Sequence, residues 1–312
     1  MEEALVASAA PVRMRGTRRQ TEFWRLPSKP YLLLLPSLVF LGLFTYLPIV
    51  EVGWSSLFRT GFGQKSAAFV GLENYARVLA DTAFRKAVLN NLLYAVGTIV
   101  PSLVIALFLA LLLDGSSRFK AVIRGFVFLP TLIPLVAAAA LFSFIFLPSI
   151  GLLDHYLVML GLHGFNWLGD PDIALWSLTL VTIWKNAGYY MLFYLAGLQA
   201  IPLEAHEAAI LEGASFLQRL RYVVLPLLKP TTAFVLVIAL INVLTQVDHV
   251  IVLTKGGPSN STKLVLYYIF EQAHENFAYG KAAAASVISV AVLLAMSVVS
   301  LKTMERGAHA AS

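Results

Sequence analysis

Six apolar stretches, each about as long as a bilayer is thick, constrain this chain more than any other feature. A helix takes roughly 20 apolar residues to cross the hydrocarbon core. Runs of that order, almost free of charge, occupy residues 31–52, 89–113, 126–146, 173–195, 233–252 and 282–301. A soluble domain carries charge on about a quarter of its residues. Here the charged share is 13%, with 59% hydrophobic residues and a mean hydropathy of +0.78. Disorder is excluded by the same numbers, since it needs low hydrophobicity and high net charge. The reading is an all-α integral membrane protein of six transmembrane helices: one membrane domain at residues 31–303, between a basic tail at 1–30 and a short tail at 304–312.

The basic residues choose sides. Arg13, Arg15, Arg18, Arg19, Arg25 and Lys29 precede the first span, Arg118, Lys120 and Arg124 follow the second, Arg219, Arg221 and Lys229 follow the fourth, and Lys302 and Arg306 follow the last. The opposite side holds fewer: Arg59, Lys65, Arg77, Arg85, Lys86, Lys255, Lys263 and Lys281, with none between residues 148 and 172. The positive-inside rule then places both termini in the cytoplasm of a multi-pass inner-membrane protein. Net charge is +6, but the charges are distributed as topology requires, so no nucleic-acid partner is implied. The first apolar run is of full membrane length with no small-residue cleavage site after it, which reads as an anchor rather than a secretory signal. With no cysteine there is no disulfide, thiol nucleophile or thiolate metal site.

Outside the spans, Leu72, Tyr75, Val78 and Leu79 recur at helical spacing in a stretch running to Lys86, the pattern of a helix lying in the membrane interface. Asn90 and Asn91 read as caps opening the second span, and Asp248 as a cap at the outer end of the fifth. Gly256-Gly257-Pro258-Ser259-Asn260 reads as a turn. Neither Asp154-His155 nor Asp248-His249 has a second histidine at helical metal spacing, so no metal site is expected. No convergent set of His, Asp, Glu or Ser lies inside the spans, so no catalytic residue is assigned.

The loop between the fourth and fifth spans is the informative one. It reads Ile201-Pro202-Leu203-Glu204-Ala205-His206-Glu207-Ala208-Ala209-Ile210-Leu211-Glu212-Gly213-Ala214 and runs on to Leu225-Pro226. Pro202 suits a first helical turn, Glu204 and Glu207 favour a helix N-terminus, and Gly213 permits a chain reversal. Phe216, Leu217, Leu220 and Val224 then mark a second amphipathic segment. The expected product is a short helix over about 202–213 on the cytoplasmic side. Ala205, Ala208 and Ala209 on its surface would let another protein's groove approach closely, and a glutamate supplies a pairing charge.

Glu207-Ala208-Ala209, Gly213, Val223 and Leu225-Pro226 stand at the spacing of the signature loop of ABC importer permeases, which this chain resembles. Val223 stands where isoleucine is commonest, and Glu212 where an aspartate usually precedes the glycine. Val70-Gly71-Leu72-Glu73-Asn74-Tyr75, Leu129-Pro130, the run from Leu195 to Pro202, and Leu253-Thr254-Lys255-Gly256-Gly257-Pro258 resemble the carbohydrate branch, the maltose-type and glycerol-phosphate-type permeases. The likeness covers nearly all of residues 31–301. It implies the type I importer permease fold, a second permease subunit in a heterodimer, two copies of a cytoplasmic ATPase and an extracytoplasmic solute-binding protein. It also implies ATPase coupling through Glu204, Glu207, Ala208, Ala209 and Gly213. The chain's one Gly-Lys, Gly280-Lys281, lacks the rest of a phosphate loop, so ATP and Mg²⁺ are expected on the partner ATPase and no cofactor on this chain.

Polar groups at bilayer depth are expensive and therefore informative. Thr182, Asn186 and Tyr189 share one helix face with Lys185 beside it, and Asn242 and Gln246 lie one turn apart in the fifth span. Amides and hydroxyls both donate and accept, as sugar hydroxyls do. Resemblance to the maltose permease places Thr182, Lys185, Asn186 and Tyr189, Asn242, Val243 and Gln246, and Thr131 and Leu135 along the solute pathway. Amides inside bundles also simply join helices. A lysine this deep must snorkel, pair with a carboxylate or await an anionic ligand. The solute class stays open among sugar, glycoside, polyol and glycerol phosphate ester. A permease for another solute class and a stand-alone secondary transporter are the alternatives, the latter disfavoured because such transporters more often show internal repeats, which this chain lacks, and because that reading leaves the Glu-Ala-Ala loop unexplained.

Overall fold

A computed structural model of the chain describes residues 29–60 and 68–309, with side chains described over 33–60 and 68–296. The basic residues of the tail from Arg13 to Arg25, Lys65, and residues 310–312 lie outside the described residues, as do the side chains of Lys29, Lys302 and Arg306. The described residues divide into two units, one ending at Glu51 and the other beginning at Val52.

The first unit is helical. Helix α1 (Lys29–Leu41) passes through one π-helical turn at Gly42–Tyr46 into α2 (Leu47–Ser55).

Past the last turn of α2, the second unit departs from the all-helical reading: strands β1 (Phe58–Arg59) and β2 (Ala68–Phe69) pair antiparallel, with Phe58 opposite Phe69. Helix α3 (Glu73–Ala80) follows, but does not run on to Lys86. Asp81 ends it, because its Oδ1 accepts the Ala83 N–H at 2.8 Å and so caps a new helix, α4 (Thr82–Leu113). Val78 of α3 is buried and Tyr75 half-buried, whereas Leu72 and Leu79 are exposed. The second span thus begins seven residues earlier than its apolar run suggests. Asn90 and Asn91 sit well inside it and are not caps. Asn90 Nδ2 donates to the carbonyls of Asn260 (2.8 Å) and Lys263 (3.0 Å), and Asn91 Oδ1 accepts from the Val265 N–H (3.2 Å). They fasten the Gly256–Pro258 turn region to α4.

The third apolar run is not one helix. It divides into α5 (Arg118–Leu132) and α6 (Leu135–Ile145), whose axes meet at 97°. The cause is local: Pro134 drives the preceding Ile133 out of the helical region, to φ −75 and ψ 129. A short helix, α7 (Leu152–Met159), and an irregular loop lead to α8 (Ala174–Gln199). Asp154 in α7, 2% exposed, pins that loop by accepting from the N–H of Ser149 (2.8 Å), the N–H of Phe165 (3.2 Å) and Trp167 Nε1 (2.7 Å). The Ser149 N–H above all, helped by Trp167 and Phe165 and opposed by burial, holds this carboxyl below its ordinary 3.8. A carboxyl depressed in the folded state stabilises above its unfolded pKa, and the contribution is lost as pH falls through the lower, folded value. The loop is therefore expected to stay closed at neutral pH and to loosen only below about pH 4. In Asp154→Ala at pH 7, hydrogen exchange at the Ser149 and Phe165 amides should accelerate at least ~10-fold, from the ~1.5–3 kcal/mol of a hydrogen bond to a charged group. Unchanged exchange would deny the carboxylate this role.

After α8 come α9 (Leu203–Leu211), α10 (Phe216–Arg219), a π-helical turn at Leu220–Val224, α11 (Leu225–Leu227), α12 (Lys229–Thr245), α13 (Asp248–Leu253), α14 (Val265–His274) and α15 (Tyr279–His309). The fifth apolar run is also interrupted. Gln246 is extended (φ −87, ψ 117) and Val247 lies at φ −128, ψ −11. Asp248 therefore opens α13 instead of capping the far end of the span.

Among the described residues, four helical runs are long and apolar enough to cross a membrane: Leu33–Ser55, Thr82–Leu113, Lys229–Leu253 and Tyr279–Met296; the bent α5–α6 pair makes a fifth if it is one span. The predicted fourth span, α8, has the length, 26 residues, but carries Thr179, Thr182, Lys185 and Asn186. It can be this polar because these four side chains are buried within the protein, while Trp176, Leu180 and Trp184 face outward. Its contact with α4 is the largest between any two elements, and Leu178, Met191, Tyr190 and Tyr194 of α8 pack with Tyr94 of α4 and Val235 of α12 in the main core.

Candidate functional site

Two groups of residues bear on function: the short helix α9 and a polar ladder along α8.

Helix α9 is set by its own sequence. Pro202, at φ −56, precedes its first residue. At its end, Gly213 takes φ +76, its N–H donates to the Ile210 carbonyl, and the Ala214 N–H donates to the Ala209 carbonyl, both at 3.0 Å. That pair of bonds is a Schellman closure, which requires the left-handed residue glycine supplies. Ser215 then opens α10 with a capping box, its hydroxyl accepting from the Gln218 N–H while Gln218 Oε1 accepts from the Ser215 N–H. Glu204, Glu207 and Ala208 are exposed, Ala205 is half-buried, and Gly213 is exposed. Ala209 is the exception: it is buried and faces the chain's own packing, not an outer surface. Leu203, Ile210 and Leu211 add exposed apolar area, Leu211 at 88%. Among the described residues nothing bonds to the Glu207 carboxylate. An acidic, small and apolar surface is thus offered outward on a helix that Pro202 opens and a Schellman turn closes.

The ladder on α8 fixes three other elements. Thr182, fully buried, shares a hydrogen bond of 2.6 Å with the Tyr94 hydroxyl, which also meets His249 Nε2 at 2.9 Å. One turn on, Lys185 Nζ donates to the carbonyls of Pro130 (3.5 Å), Thr131 (3.1 Å) and Ile133, and Thr131 Oγ1 donates back to the Lys185 carbonyl at 3.0 Å. Asn186 Nδ2 donates to Gln246 Oε1 at 3.5 Å, and Asn242 Nδ2 to the Tyr190 hydroxyl at 3.2 Å. Close approach makes this possible: a Cβ on Gly188 would lie 2.0 Å from the Val127 carbonyl oxygen, so only glycine lets α5 cross α8 here.

Of the residues read from sequence as the solute pathway, Thr182, Lys185, Asn186, Leu135 and Val243 are buried, whereas Thr131, Tyr189, Asn242 and Gln246 are half-buried. Leu135 lies in an apolar cluster with Phe142, Phe146 and Val181, and Val243 in the main core. The structure brings Thr131 to Lys185, Asn186 to Gln246, and Asn242 to α8. Lys185 follows a fourth route beyond snorkelling, pairing or waiting for an anion: carbonyls freed where α5 breaks satisfy its ammonium.

Sequence reading missed Tyr94 and His249, both fully buried and stacked at 5.5 Å between ring centroids. A signal was present. Asn90, Tyr94, Thr98 and Ser102 recur every four residues along α4, a polar stripe down one face of an otherwise apolar helix.

Comparison with known proteins places this arrangement. Residues 102–304 match the profile of the family described as binding-protein-dependent transport system inner membrane component. The trehalose/maltose transport system permease protein MalF of Thermococcus litoralis is 33% identical over 272 residues, 87% of this chain and 92% of that protein. The sn-glycerol-3-phosphate transport system permease protein UgpA of Yersinia enterocolitica is 31% identical over 278 residues, 89% of this chain and 94% of that protein. In structure, the fold matches a chain of a bacterial ABC transporter involved in the import of the acidic polysaccharide alginate, with a TM-score of 0.78 at 24% identity, covering 89% of this chain and 95% of that one. With its apolar spans, its type I importer permease fold and the family match over most of its length, the chain belongs to the binding-protein-dependent transport system inner membrane components, as a multi-pass permease subunit of an ABC importer.

Proposed function

We propose that this permease forms half of the translocation pathway of an importer for a neutral, hydroxyl-rich solute of the carbohydrate class, and that it is itself not catalytic. A second, different permease subunit supplies the other half. Two copies of a cytoplasmic ATPase hold the ATP and Mg²⁺, and an extracytoplasmic binding protein delivers the solute. Both termini and α9 lie on the cytoplasmic side, where Glu204, Glu207, Ala208 and Ala209, ended by Gly213, seat α9 in a cleft of the ATPase. Glu204, Glu207 and Ala208 make contact, and buried Ala209 keeps the helix close to its own support. Motion of the ATPase dimer then drives α8 and α12, the long helices that flank the α9–α11 segment, between two states.

The single observation that carries this reading is the Glu207 carboxylate, unpartnered among the described residues, on an exposed short helix in the segment that connects those two helices. The choice of a neutral solute rests on the ladder. Lys185 is already satisfied by backbone carbonyls, and the half-buried polar groups beside it, Thr131, Tyr189, Asn242 and Gln246, are hydroxyls and amides. Such groups suit sugar hydroxyls and offer no second cation to a phosphate. The names of the relatives, a trehalose/maltose permease and a glycerol-phosphate permease, frame the alternatives. Proteoliposomes holding the complete importer test the point: ATP-dependent uptake of labelled trehalose or maltose should exceed that of sn-glycerol 3-phosphate at least ~10-fold, the discrimination expected of a site without an anion partner. The reverse preference would overturn the neutral assignment.

A further inference from the structure

Both interrupted helices break beside the same point on α8. The first break, at Ile133-Pro134, separates α5 from α6; the second, at Gln246-Val247, separates α12 from α13. The two segments beyond the breaks pack on each other, α13 against α6. Leu253 of α13 joins the apolar cluster of Leu135, Phe142 and Phe146. Together they make a block that is continuous with neither α5 nor α12. Consecutive residues of α8 reach one break each, Lys185 to the carbonyls of Pro130, Thr131 and Ile133, and Asn186 to the Gln246 side chain. Because side chains 100° apart on a helix point in different directions, neighbours can serve two separate elements. One turn earlier, Thr182 engages the same block through Tyr94 and His249.

We propose that Lys185 and Asn186 are positioning residues that set the angle at which the α6–α13 block is held, rather than groups that contact the solute. Because Pro134 interrupts the helix, the Thr131 and Ile133 carbonyls at the end of α5 lack helical partners, while the Pro130 carbonyl keeps only the Ile133 N–H at 3.2 Å, and at bilayer depth each unsatisfied group is costly. The Lys185 ammonium is the one donor group that serves all three. Among the described residues no carboxylate lies within ion-pair distance of it, so the negative end of α5 is its counter-charge. Removing the cation leaves those carbonyls to find other donors, which requires the bend to change. At the second break Asn186 acts on a side chain instead, its neutral amide donating to Gln246 Oε1 at 3.5 Å. This arrangement makes the bend depend on α8, so a movement of α8 reaches both breaks at once.

The absence of cysteine gives a clean background for distance measurement. Spin labels go on exposed positions flanking each break, Phe126→Cys with Phe144→Cys across the first and Ile241→Cys with Val252→Cys across the second. The full-length chain is measured in lipid nanodiscs without solute or nucleotide. In Lys185→Met the first distance should lengthen by about one helical pitch, ~5 Å, toward the ~27 Å of an unbroken helix, and its distribution should broaden. Lys185→Arg should keep the parental distance. Asn186→Leu should shift the second distance. Parental distances in both Lys185→Met and Asn186→Leu would overturn the proposal, since a residue that only touches solute leaves the solute-free geometry alone. Should Lys185→Met not accumulate, the second pair in Asn186→Leu decides, an unchanged distance overturning the proposal and a shift supporting it. Neither transport nor ATP hydrolysis enters the measurement, so failure of the coupling role given to α9 would not alter its outcome.

Discussion

Glu207→Lys is expected to abolish most transport while leaving the permease folded and inserted. The Glu207 side chain is exposed and bonds to nothing among the described residues, so reversing its charge costs the isolated chain almost nothing. Its whole effect must fall on whatever α9 meets in the assembled importer. Breaking a close charge pair at an interface costs about 2–5 kcal/mol, and each 1.4 kcal/mol is tenfold. Solute uptake in vesicles should therefore drop by at least ~10-fold, with ATP hydrolysis by the partner no longer stimulated by solute-loaded binding protein. Glu207→Gln, which keeps size and a hydrogen-bond acceptor, should fall between that variant and the parent. Wild-type uptake by Glu207→Lys would remove the coupling role from this helix.

Gly188→Leu is expected to have the largest effect on the fold itself. Even a Cβ at this position would lie 2.0 Å from the Val127 carbonyl oxygen and 2.8 Å from its carbon. Both are backbone atoms, so no rotamer relieves the clash, and α5 must move off α8. Moving it withdraws the Pro130, Thr131 and Ile133 carbonyls from Lys185, leaving a buried cation and a broken helix end without partners. Overpacking alone costs about 1–3 kcal/mol, and the uncompensated charge adds to it. A fall in Tm of at least ~6 °C for Gly188→Ala, and loss of folded protein for Gly188→Leu, should be seen by thermal unfolding in detergent. Gly125→Ala, in the same α5 but with nothing within 4 Å of its would-be Cβ, is the control and should be neutral or slightly stabilising. A parental Tm for Gly188→Ala would mean that the α5–α8 crossing yields at no cost, and with it the tight support of the ladder.

The membrane class, the positions of most helical runs and the whole of α9 were legible in the sequence because each rests on local chemistry. A run of apolar residues is recognisable wherever it lies, and Pro202, Gly213 and the Ser215–Gln218 box define helix ends through bonds to residues at most five positions away. The break at Ile133 was legible too, in Pro134, but an unbroken hydropathy profile hid it. Residues whose meaning depends on distant partners were misread. Asn90 and Asn91 resemble caps until the carbonyls of Asn260 and Lys263 and the N–H of Val265 arrive from 170 or more positions along the chain. His249 looks unremarkable until Tyr94 stacks on it.

Residue types and their spacing by themselves decided that this chain lives in a bilayer, where its helices run, and that a capped acidic helix links α8 to α12. Those are consequences of solvation and of short-range hydrogen bonding, which act between near neighbours. Only the tertiary structure decided what Lys185 and Asn186 do. A buried cation and a buried amide must find partners, but the choice among carboxylate, solute and the frayed end of a broken helix is made by whichever group the packing of α5 and α12 against α8 brings within about 3 Å.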